Sequence, residues 1–86
     1  MNMTFKVPLM KPWTLTDDRV IVQGKKEILL SDVIKVDCGE PTTKRGNGVI
    51  QLWVNGKTLP HMVCYTYADR EEGAKAAKYI IDHYGK

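Results

Sequence analysis

The chain has 86 residues, of which 43% are hydrophobic and 27% charged, and a formal net charge of +3. That length leaves no room for two cores, so a single domain over residues 1–86 is expected, and the composition excludes disordered, fibrous and disulfide-dense classes. Thirteen basic residues face ten acidic ones, but Lys6, Lys11, Lys25, Lys26, Lys35, Lys44, Arg45 and Lys57 are scattered rather than gathered into a stripe, which argues against a nucleic-acid partner.

From Thr4 to Leu9 the chain alternates, with Phe5, Val7 and Leu9 on one side and Thr4, Lys6 and Pro8 on the other. This is the two-residue period of a half-buried strand, and Pro8 marks it as an edge or a strand end. Trp13–Thr16 and Arg19–Gln23 are rich in β-forming residues and are joined by Asp17-Asp18, which predicts a tight hairpin. Gly24-Lys25-Lys26 supplies the next turn and Glu27–Leu30 the returning strand. Ser31-Asp32 is a polar break before a strand over Val33–Cys38, with Ile34 and Val36 on opposite faces.

Gly39 to Gly48 holds three glycines, one proline and no large apolar side chain, the composition of a surface loop. It is the longest loop the sequence predicts. Asn55-Gly56 then lies between strands expected over Val49–Val54 and Lys57–Thr66, and the dipeptide suits a type I′ hairpin turn. The period changes after Asp69. Asp69 and Glu72 have the spacing of a capping box, and Gly73, Ala77, Ile80 and Tyr84, with Ala76 and Ile81 beside them, make one apolar stripe on a helix. Lys75, Lys78 and Asp82 fall on its other face. Small residues at the helix start permit close approach to a sheet, and Gly85 is its expected stop.

Asn2, Thr4, Pro8 and Pro12 interrupt the apolar residues near the N-terminus, unlike a signal peptide, and no apolar run is long enough to span a bilayer. Cytoplasm is the expected location. Cys38 and Cys64 are the only cysteines and form no CxxC pair, so two free thiols are expected.

This order of elements, six or seven antiparallel strands and one C-terminal helix, resembles the pleckstrin-homology (PH) superfold. The stretch from Trp13 to Val22, followed by Ile28-Leu29-Leu30-Ser31-Asp32-Val33-Ile34-Lys35-Val36, is similar to the core of small bacterial PH-like and GRAM-like domains. The resemblance covers residues 13–84. It implies a mainly β fold, a bent sheet or barrel of two near-orthogonal sheets with the helix plugging one end, and a module that binds proteins, peptides or phosphoinositides. Phosphoinositide-binding relatives carry several basic residues around their first turn. Here Asp17-Asp18 is expected close to that position, so the usual basic pattern for an anionic lipid is absent.

Chemistry-bearing clusters are few. On a strand, His61 shares a face with Val63 and Tyr65 while Cys64 shares one with Met62 and Thr66, so the two cannot chelate a metal together. The only serine, Ser31, sits in a turn, and Glu71-Glu72 fit the favourable charge of a first helical turn. Neither a catalytic set nor a cofactor is expected. Lys44 and Arg45 in the long loop are candidate contacts for an acidic partner. Trp53 is a second candidate contact, and with Val49 and Met62 beside it would form an apolar patch for a partner protein or for self-association. Trp53, Tyr65 and Tyr67 could instead form a stacking platform for single-stranded nucleic acid. The expected function is a noncatalytic interaction module, with a small-barrel nucleic-acid-binding protein as the alternative.

Overall fold

Alternating apolar and polar residues separated by turn-forming pairs produce seven short antiparallel strands, which a computed structural model describes together with the rest of residues 1–86. Strands β1 (Met3–Phe5), β2 (Trp13–Leu15), β3 (Arg19–Val22) and β4 (Lys26–Leu29) form one sheet in that order. Strands β5 (Val33–Gly39), β6 (Asn47–Val54) and β7 (His61–Thr66) form the second, and the two do not join into a closed barrel. A 3-10 turn at Leu30–Asp32 carries the chain from one sheet to the other, and helix α1 (Arg70–His83) ends the fold.

The core lies between the sheets. Leu15 and Val20, paired across β2 and β3, meet Ile50 and Leu52 of β6, Val33 of β5 and Ile80 of α1, all withdrawn from water. Each such side chain contributes roughly 1.5–3 kcal/mol of burial. The register of β5 slips between Val33 and Lys35. That bulge turns Ile34 out to solvent and returns Val36 to the side of Leu52, so the two residues do lie on opposite faces.

The helix sits on its small face. Gly73, Ala76, Ala77 and Ile80 are buried, whereas Ile81, expected beside the stripe, is half exposed. Two hydrogen bonds fix the helix end to the first half of the chain: the Tyr79 hydroxyl donates to the Asp17 carbonyl at 2.7 Å, and the Gly85 N–H donates to the Leu30 carbonyl at 2.8 Å. Gly85 has φ +75°, a value that lets the chain leave the helix towards that carbonyl.

Four expectations are corrected. The first strand stops at Phe5 rather than Leu9, because the Met10 N–H bonds back to the Val7 carbonyl and closes a turn. The last strand begins at His61 rather than Lys57, since Pro60 has no N–H for the ladder. The Asn55-Gly56 turn has positive φ at Gly56 alone, with the Lys57 N–H on the Val54 carbonyl. That is the type II pattern, which the longer connection permits in place of type I′. Finally, Asp69 makes no side-chain cap, because a 3-10 turn at Tyr67–Asp69 runs straight into the helix and holds Asp69 outside the extended conformation of a capping residue. Glu72 pairs forward with Lys75 instead, at 3.4 Å.

Ile80 is fully buried at the junction of helix and both sheets. Ile80→Asp places an unpaired charge there and is expected to cost about 3 kcal/mol or more. A chemical-denaturation midpoint equal to that of the parent chain would contradict this packing.

Candidate functional site

Lys44 and Arg45 lie exposed in the connection between β5 and β6, where the Gly46 N–H bonds to the Thr43 carbonyl, and neither forms an ion pair. Trp53 lies at the far end of β6, about 20 Å away at the rise of a strand. The fold therefore does not bring the three candidate contacts into one site. Trp53 is on the outer face of its sheet with Val49 and Gln51, and Met62 stands opposite Gln51. The Lys35 ammonium covers its ring at 4.7 Å from the centroid, a cation–π contact that leaves the indole half-buried.

The aromatic platform is not formed. Tyr65 points into the core, Trp53 points away from it, and Tyr67 sits in the turn before the helix under the Arg70 guanidinium. Strand alternation sends residues 53 and 65 to opposite faces, so no single surface presents the three rings.

Asp17-Asp18 closes the hairpin expected over Trp13–Val22. It forms the turn between the second and third strands, where Asp17 accepts from the N-terminal amine at 2.6 Å and Asp18 holds Arg19 in a bidentate pair. The connection between the first two strands is residues 6–12, with Lys6 and Lys11 as its cations.

Cys38 and Cys64 are unbonded, on strands separated by β6 and on opposite faces of the sheet, so they cannot bridge. Burial pushes both thiols up, and Asp37 adds to the effect at Cys38, so neither is an activated nucleophile. No group of three or more His, Cys, Asp or Glu side chains is placed to hold a metal ion. His61 accepts from the Lys26 ammonium through Nδ1 at 3.0 Å, which fixes its proton on Nε2. Partial burial and the charges of Lys26 and Lys57 hold its imidazole below the usual range.

A groove of about 350 Å³ runs between residues 6–12 and β7. Trp13 forms its inner wall, with the indole N–H donating to the Cys64 carbonyl at 2.7 Å, and the mouth is set by Leu9, Met10 and Met62. Eight of its ten lining residues are hydrophobic, and the other two are Lys11 and Lys25. Leu9 is the unusual member. It occupies the third position of the Val7–Met10 turn with φ +68°, where Gly or Asn is the usual residue, and its side chain is fully exposed. Pro8 at the second position presets that turn.

No family model, curated protein or solved structure matches this chain. Alternation in the sequence does not reveal the groove, because the pattern from Phe5 to Leu9 continues through a turn. The signal that marks it is Pro8, a turn-forming residue, followed by the two apolar residues Leu9 and Met10.

Replacing Leu9 with Gly removes the strained side chain and should leave the protein as stable as before, or up to about 1 kcal/mol more stable. A fall of more than about 1 kcal/mol in a denaturant titration would mean that Leu9 serves the core.

Proposed function

We propose that the chain is a noncatalytic protein-interaction module of PH-like architecture whose contact surface is the groove between residues 6–12 and β7. The architectural half of this reading is supported by the order of elements, seven antiparallel strands in two sheets followed by one C-terminal helix, which agrees with the six or seven strands and terminal helix that the resemblance implies.

The contact surface rests on one observation, the placement of Leu9. A left-handed backbone at a residue other than glycine costs on the order of 1 kcal/mol, and an apolar side chain standing in water gains nothing from burial. A partner that covers Leu9 together with Met10 and the 51%-exposed Met62 beside it removes the exposure, and the burial it gains offsets the backbone cost. A protein surface is the class of partner that supplies apolar area of this kind. Stacked bases would need a set of rings on one face, and Trp53 lies on the outer face of its sheet, Tyr65 in the core and Tyr67 in the turn before the helix.

Photo-crosslinking in the native host tests the proposal, with p-benzoylphenylalanine introduced in place of Leu9 or Met62 and, as controls, in place of Lys44 or Lys78. Discrete protein adducts from positions 9 and 62 that are absent from position 78 are expected. Adducts equally strong at position 78, adducts removed by nuclease, or none at all would contradict it, and adducts from position 44 alone would move the contact to the Lys44-Arg45 loop.

A further inference from the structure

We infer that the groove receives an extended, acidic segment of a partner protein, which adds as a strand to the outer edge of β7. The inference rests on the interaction-module reading and names the partner's chemistry.

In its sheet β7 pairs only with β6, so its second edge meets no strand. The Cys64 carbonyl on that edge is directed to the Trp13 indole rather than to β6. In an antiparallel ladder alternate residues turn their main-chain groups the same way. Met62 therefore offers both N–H and C=O to the groove, and Cys64 offers its N–H. No other main-chain bond outside the ladders reaches residues 61–66. These three main-chain groups lie in a row on an edge that no strand of the protein occupies, which is what an added strand pairs with, and the apolar walls take its alternate side chains.

Charge selects the kind of segment. The only charged side chains at the groove are Lys11 and Lys25, with the Lys26–His61 pair adjoining it, and no carboxylate lines it. Carboxylates flanking the apolar residues of an incoming strand meet these cations. A second copy of the chain is the poorer occupant: each copy carries +3, and pairing β7 with β7 would bring two lysine-rimmed grooves together.

The test uses the intact chain and peptides selected on it from a random linear library, then synthesised. The selected peptides should alternate apolar residues with Asp or Glu, slow hydrogen exchange at the Met62 and Cys64 amides, and lose binding when N-methylated at alternate positions. Lys11→Glu/Lys25→Glu, at two groove-rim positions, should weaken them about tenfold without changing the melting temperature. Peptides that perturb the groove yet tolerate N-methylation at every position would overturn strand addition and leave the interaction surface standing. Peptides without acidic bias that ignore the double substitution would overturn the charge assignment. Binders that never perturb the groove, or no binders at all, would overturn the groove as a contact surface.

Discussion

The ring of Tyr65 holds the structure together by filling the space that two glycines leave. A side-chain carbon at Gly48, its cross-strand partner on β6, would lie 2.0–2.5 Å from ring atoms, and one at Gly73 on the helix would lie 2.3–2.5 Å from them. No Cβ tolerates such distances. The ring is therefore clasped between strand and helix, and the helix comes as near to the sheet as it does because position 73 has no side chain. Phe5 meets the same ring at 6.2 Å and in turn stacks on Trp13 at 4.7 Å, with an interplanar angle of 21°. One run of three aromatic rings thus joins β1, β2, β7 and α1.

That run also fixes the groove. Trp13 is its last ring and the inner wall of the cavity, and its indole N–H ties the first sheet to the strand-free edge of β7 through the Cys64 carbonyl. With both ends of residues 6–12 anchored in strands and Val7 buried, the turn that projects Leu9 has little freedom to fold its side chain away. The interaction surface is in this sense a consequence of the core: the packing that orders the aromatic residues leaves Leu9, Met10 and Met62 outside it. The helix, held to the Asp17 and Leu30 carbonyls, contributes no residue to the groove and leaves it uncovered.

Local features were legible in the sequence because neighbouring residues determine them. The Trp13–Val22 hairpin follows from two β-rich runs around Asp17-Asp18, the exposed loop from its glycines and lack of apolar anchors, and the buried helix face from the spacing of Gly73, Ala77 and Ile80. Gly73 was legible as a point of close approach, but its partner was not, since the clasp on Tyr65 depends on the register that sets Gly48 opposite it. The groove joins residues 7–13, 22–25 and 62–64, which only tertiary packing brings together. Alternation alone could not distinguish a strand at Val7 and Leu9 from a turn, nor place Tyr65 and Trp53 before it was known which face of the last hairpin is covered.

The clasp is tested most directly by a double-mutant cycle between Gly73→Ala and Tyr65→Ala, read by denaturant unfolding with enough trimethylamine oxide to keep the weakest variant folded. Helix propensity alone makes Gly73→Ala stabilising by about 1 kcal/mol. The account predicts the opposite in the parent chain, a loss of about 1 kcal/mol or more from overpacking against the ring, and recovery of the propensity gain once Tyr65 is Ala, a coupling of roughly 2 kcal/mol. If Gly73→Ala stabilised both backgrounds equally, the ring would not be what sets the helix against the sheet.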